Sequence, residues 1–258
     1  MSWSQFFKVL SEVAQKYYLL AGIAFLIFYL IRKNKIRHRK IQKKFPGTRD
    51  YIREIGFSTL SLFIFASVPI IILNSDITRP YTHYYQSINE FGIVYYIAAF
   101  PLMMVLHDTY FYWMHRLMHM PALFRTFHLL HHRSTNPSPW AAYAFHPLEA
   151  IIEAFITAVL LFVMPIHPSH LIIFFAFSLA YNVYGHLGFE LYPKNFNKHW
   201  LGKWVNTSVS HNQHHQFFKG NYGLYFTFWD RWMGTLRPDY DQHFEMAKTQ
   251  KEQAKNVP

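Results

Sequence analysis

Apolar positions in this chain gather into five long runs, with the polar positions collected between them. The first, YYLLAGIAFLIFYLI from Tyr17 to Ile31, reaches membrane-spanning length once Val13 and Ala14 are added, and the second covers Ile55 to Leu73. Pro69 falls inside the second run and is tolerated if neighbouring helices satisfy the carbonyl it frees. A third run begins at Phe91 and leads directly into the polar string DTYFYWMHRLMH. Two shorter runs, Ala150 to Ile166 and Leu171 to Tyr184, are separated only by HPSH. That spacing predicts a tight helical hairpin that does not fully cross the bilayer. The expected fold is therefore an all-α integral membrane protein with about four to five transmembrane or re-entrant helices.

Composition fits this pattern. Of 258 residues, 52% are hydrophobic and only 15% charged, well under the roughly 25% of a soluble domain. A net charge of +11 could suggest nucleic acid, but the basic residues concentrate in RKNKIRHRKIQKK, Arg32 to Lys44, directly after the first run. A basic block beside a membrane helix is a topology signal and an attraction to anionic headgroups, so no nucleic-acid partner is expected. It places the end of the first helix on the cytoplasmic side. Counting crossings from there puts the loop around Asn74 to Asn89 outside, and the histidines from His115 to His132 and from His186 to His215 on the cytoplasmic face. The chain divides into an N-terminal membrane helix with its basic loop (1–50), a main domain that carries the other apolar runs and most of the histidines (51–238) and a polar tail (239–258) expected to fray beyond its first residues.

Cysteine is absent, which excludes disulfides, thiolate zinc sites and iron–sulfur ligation. Any metal must be held by nitrogen and oxygen. The chain has 17 histidines, more than packing needs. HLLHH places His128, His131 and His132, and HNQHH places His211, His214 and His215, at i, i+3 and i+4, so on a helix each triplet points to one place. His115 and His119 form a further i, i+4 pair. Burying so many imidazoles is unfavourable unless a cation satisfies them, and their number exceeds the needs of one tetrahedral or facial-triad metal. Two metals are expected, in a helical cap on the cytoplasmic face.

Other polar residues are candidates for the same site. His186 and Glu190 emerge where the fifth run ends, and His146 and Glu149 stand at the start of the fourth. Each glutamate either ligates metal directly or serves as a helix-terminal carboxylate. Asp108 and Tyr112 precede His115 on the same helix, where Asp108 either orients a ligand imidazole or caps a polar seam. His107 is the weakest of the cluster, and His38, His83, His167, His170, His199 and His243 read as surface or loop residues.

The strings DTYFYWMHRLMH, FHLLHHRSTNPSPWAAYAFHPLEA and SHNQHHQFFKGNYGLYFTFWDRWMGT together resemble the fatty acid hydroxylase / sterol desaturase superfamily, its sterol-desaturase-like branch in particular. The resemblance runs from about Leu106 to Arg237. It implies a non-haem di-iron lipid hydroxylase or desaturase using O2 and two electrons, in a bacterial inner membrane or the endoplasmic reticulum. It also implies metal ligation by His115, His119, His128, His131, His132, His186, His211, His214 and His215, with His146 left open. Neither hydroxylation nor desaturation is singled out. Because the chain has no G-x-G-x-x-G turn, no cysteine and no HPGG element, a separate electron donor is implied, cytochrome b5-like or ferredoxin-like. Arg116, Arg125, Arg133, Lys198, Lys203 and Lys219 are candidates to receive its acidic face. The aromatic residues of NYGLYFTFWDRWMGT are expected to pack over the cluster, with Asp230 and Arg231 as a structural pair. A histidine-rich divalent-metal transporter or sensor is the competing reading.

Overall fold

The computed structural model describes residues 3–253, and its regular structure is helical; among those residues β contacts are confined to three isolated bridges. Helix α1 (Trp3–Phe25) runs on as a π-helical turn to Ile31. A single turn, α2 (Lys33–Ile36), follows within the basic block. The long helices α3 (Thr48–Asn74) and α4 (Gly92–Met118) each pass through an internal proline, Pro69 and Pro101, without a break. Together with α1 and its continuation to Ile31, these are, among the described residues, the three helices long and apolar enough to cross a membrane. All three turn apolar side chains outward, among them Leu19, Phe63 and Val94, and such a belt suits lipid rather than water.

The fourth apolar run is broken at Phe155 into α7 (Pro147–Ala154) and α8 (Ile156–Val163), and the fifth forms α9 (Pro168–Gly185). The two make the expected hairpin, with α8 buried against α3, α4 and α9 through Leu160, Leu161, Met103 and Phe174. His170 lies inside it, buried, with Nδ1 accepting from the His167 amide and Nε2 against the Tyr96 carbonyl, so it is not a surface residue.

Beyond the ends of α4 and α9 sits a cap of short elements: α5 (Pro121–Phe127), α6 (Leu129–His132), α10 (Ser208–Phe217), α11 (Phe228–Trp232) and α12 (Tyr240–Gln253). The tail is helical rather than frayed over its described part. Tyr240, Phe244 and Ala247 fall on one face at i, i+4 and i+7 and bury against Val209 of α10. Residues 254–258 lie outside the described residues.

The basic block also does more than meet solvent. Lys40 is fully buried, its Nζ 3.0 Å from Asn136 Oδ1 and among the rings of Tyr29, Phe45 and Phe189, and burial pulls its ammonium down to about 7. Two residues on, Gln42 donates to the Thr135 carbonyl and to Asn212 Oδ1, tying this segment to both histidine-bearing regions.

Candidate metal centre

Four local devices bring the histidines to one place. Helix α4 ends with His115 in its last turn and His119 as its C-cap. The chain then turns through α5 and restarts at His128, the N-cap of α6. Thr207 caps α10 by accepting from the Ser210 amide, and His186 ends α9 two residues before Gly188, whose φ of +72° permits the sharp exit.

The imidazoles fall into two groups. His115, His119, His128, His132 and His214 have ring nitrogens within 4.8 Å of one another, and so do His131, His186, His211 and His215. The triplets therefore do not each aim at one point, as helical spacing suggests. HLLHH sends its i, i+4 pair, His128 and His132, to the first group and His131 to the second. HNQHH does the reverse, giving His211 and His215 to the second and His214 to the first. The i+3 side chain lies about 100° around the helix from its i+4 neighbour, enough to reach an adjacent centre.

Hydrogen bonds at the far side of the rings fix their chemistry. Nδ1 of His115 lies 2.9 Å from the Tyr222 carbonyl, that of His186 2.8 Å from Asn182 O, that of His214 2.8 Å from Gly220 O, and that of His131 3.4 Å from Ala144 O. A carbonyl only accepts, so each Nδ1 carries the proton and each Nε2 is left a bare lone pair. Those lone pairs face one another: Nε2 of His131 and His186 are 3.4 Å apart with no hydrogen to share. His128 follows the same pattern, its Nδ1 donating to Glu149 Oε1 at 2.6 Å while its Nε2 sits 3.0 Å from that of His115. Such an arrangement is repulsive by itself and favourable around a cation. Burial first, and neighbouring imidazoles second, hold His128, His131, His132, His211, His214 and His215 well below the usual histidine range, so the rings remain neutral donors. The donor set thus fits two resident metal ions of a kind that accepts imidazole.

The remaining candidates occupy supporting positions. Glu149 is not in either group and orients His128. Glu190 accepts from Tyr184 Oη, the Tyr192 amide and the Val209 amide, fixing the start of α10. His146 is the N-cap of α7, accepting from the Leu148 amide, and belongs to neither group. Asp108 Oδ1 accepts the amides of Leu224, Tyr225 and Phe226, which holds the loop whose Tyr222 carbonyl anchors His115. Tyr112 Oη is 3.0 Å from Thr235 Oγ1. His107 is buried with Nδ1 against Tyr225 Oη.

Asp230 does not pair with Arg231. It accepts the Tyr222 and Gly223 amides and the Thr235 hydroxyl, whereas Arg231 Nε donates to the Lys203 carbonyl. The Tyr222 ring lies against His115, His119 and His214, as expected of an aromatic cover. The anchoring carbonyls of Tyr222, Gly220, Ala144 and Asn182 had no signal in the sequence, since every residue has a carbonyl. Only the glycine-rich stretch GNYG, with Gly220 at φ +80° and Asn221 at φ +56°, marked a loop bent for a purpose.

A family model described as fatty acid hydroxylase matches residues 100–235, half of the chain and every residue of both groups. The chain belongs to the fatty acid hydroxylase family. Among curated relatives of this family member, Delta(7)-sterol 5(6)-desaturase ERG3B of Gibberella zeae is 30% identical over 177 residues, 67% of this chain and 53% of that protein. Lathosterol oxidase of Mus musculus is 30% identical over 187 residues, 72% of this chain and 60% of that one. The erg3A sterol desaturase of Aspergillus fumigatus is 28% identical over 229 residues, covering 88% and 60%. These place the chain in the sterol-desaturase-like branch of the hydroxylase family. It spans about half to three-fifths of the length of these relatives. No solved structure matches it.

Proposed function

We propose that this fatty acid hydroxylase family member is an O2-dependent membrane oxidoreductase that hydroxylates or desaturates a sterol-like lipid, with residues 51–238 as its catalytic unit. The observation that carries the reading is the convergence of bare Nε2 lone pairs into two separate buried groups, which suits two cations. His115, His119, His128, His132 and His214 would hold one iron, and His131, His186, His211 and His215 the other. When bound and reduced, the two irons supply the activation of O2 that attack on an unactivated C–H bond requires.

The chain's own residues orient the ligands, exclude water and seat the substrate. Phe111 lies against His115, and Phe145 against His131, with ring centroids 4.9 Å apart in each case. Both phenylalanines also line a cavity of about 420 Å³ bounded by α1, α3, α4, α8 and α9, the natural lipid chamber. Its apolar walls keep water from the centre and hold a C–H bond near the ligand rings. The relatives named as sterol desaturases and lathosterol oxidase support a sterol-like substrate.

The electrons come from a separate cytochrome b5-like or ferredoxin-like donor. Exposed Arg125, Arg133, Lys203 and Lys219 around the cap suit an acidic partner, and the basic block supports a cytoplasmic location for that face. A transporter would carry its ligands near the midplane on broken helices, whereas these lie in the last turn of α4, at the end of α9 and in the cap beyond them, with rings locked by carbonyls. Lipid profiles of cells with and without the gene test the proposal. A lipid difference should appear with the wild type and vanish with His131→Ala and with His214→Ala; a difference that persists in both variants rules these residues out as ligands.

A further inference from the structure

The aromatic rings packed against the two histidine groups differ in how readily they lose an electron. Among the described residues, Phe145 lies against the second group, and Phe111, Phe124, Phe218 and Tyr222 lie against the first. Of these only the phenol of Tyr222 is readily oxidised. Its ring meets those of His115, His119 and His214, with centroids 5.6, 5.1 and 5.6 Å away.

Tyr222 is the inner end of a continuous line of oxidisable rings. Tyr112 follows at 6.3 Å, and Trp229 stacks on Tyr112 at 5.8 Å with 19° between the planes. From there two indoles reach the surface: Trp232, 5.6 Å from Trp229 and 62% exposed, and Trp113, 5.3 Å from Tyr112 and 40% exposed. Each step is a ring contact, and electron tunnelling, which falls off steeply with distance, is fast across contacts.

Tyr112 also has a place to put a proton. Thr235 spends its one O–H on Asp230 Oδ1 at 2.7 Å, so the Tyr112 phenol, 3.0 Å from Thr235 Oγ1, is the donor of that pair. Phenol, hydroxyl and carboxylate thus form a directed relay. Burial raises the Asp230 carboxyl above its usual range, which makes it a readier proton acceptor. Packing alone requires neither this relay nor the two exposed ends.

An oxygen-activating centre with no C–H bond to attack is left with an oxidising equivalent, and its own ligands stand nearest to be damaged. The chain has no cysteine to be spent instead. We propose that Tyr222, Tyr112, Trp229 and the exposed Trp232 and Trp113 carry that equivalent from the first group to the surface. Tyr112 gives an electron across Tyr222 to the centre, while its phenol proton passes to Thr235 and the Thr235 proton to Asp230. An electron from Trp232 through Trp229, or from Trp113, restores Tyr112 as the protons return. A soluble one-electron reductant, such as ascorbate or a thiol, then restores the indole. The inference rests on the proposed O2 activation, and it is read from the position of oxidative damage rather than from lipid oxidation.

For the test, the full chain is loaded with ferrous iron in nanodiscs that contain no sterol, freed of reductant and exposed to O2. Oxidised residues are then located by peptide mass spectrometry, with iron content measured on the same samples. Trp200 is the internal control, since it is 68% exposed but lies against His199, off this line of rings. Wild type should oxidise Trp232 and Trp113 and spare Trp200, and the products should be lost when iron is omitted or ascorbate is added. Trp229→Phe should lose the product at Trp232 and gain it at Trp113. Tyr112→Phe, which keeps the ring and removes the O–H, should lose both products and oxidise ligand histidines instead. Oxidation of Trp200 equal to that of Trp232, the absence of iron-dependent oxidation at both exposed ends, or a Trp232 product unchanged in either variant overturns the proposal. The wild-type comparison decides the matter where a variant fails to fold. A chain that fails this test with two irons bound leaves the proposed function standing, whereas a chain that binds no iron overturns both.

Discussion

A histidine that ligates a metal is defined as much by its far nitrogen as by its near one. Here four far nitrogens donate to backbone carbonyls and one to Glu149, and these contacts turn a set of basic rings into a set of aimed lone pairs. Replacing Glu149 should loosen one ligand of the first group only. Glu149→Ala is expected to lower metal affinity there by about ten- to a hundredfold, with Glu149→Gln milder because its amide oxygen still accepts; bound iron after dialysis against a chelator measures both. A pH dependence follows from the same rings. Their folded values lie well below the unfolded value of 6.5, so the unfolded state takes up protons first as pH falls. Stability and metal retention are therefore complete above 6.5 and decline together below it, which thermal unfolding and iron content between about pH 8 and about pH 5 will report. At this scale the sequence was informative about residue type and spacing. It could not reveal the sharing of each triplet between two centres, because one helical face is wide enough to serve either.

Elements set where those rings meet. The runs entering α4 and leaving α9 were legible as helices because apolar continuity over that length has few other physical solutions. Helix α12 was missed because a polar C-terminal stretch ordinarily frays, yet Tyr240, Phe244 and Ala247 held the period of a buried stripe. That stripe supports α10 from behind, so the tail is part of the candidate metal centre's frame. Phe244→Ala should cost about 3–5 kcal/mol, seen as a lowered Tm in detergent. Since α10 contributes to both groups, iron should be lost from both together rather than from one. Retention of both irons at a wild-type Tm would show that α12 is dispensable. Asp108 and Asp230 act at the same level: each gathers backbone amides of residues 222–226, and neither needs to touch metal to matter. Spacing alone could not separate that role from ligation.

At the scale of the whole molecule, membrane helices carry the cap, and the cap carries two adjoining ligand groups over a lipid-sized chamber. The structure makes a division that primary sequence conceals: His131 and His132 are neighbours in the chain and fall in different groups, while His119 and His132 are remote and fall in the same one. Iron per chain, measured by plasma mass spectrometry on purified wild type and two double variants, tests this most directly. Wild type should hold about two irons, His119→Ala with His132→Ala about one, and His131→Ala with His132→Ala close to none. A single iron in the wild type, or one iron kept by the adjacent double variant and none by the remote one, would contradict the division into two centres.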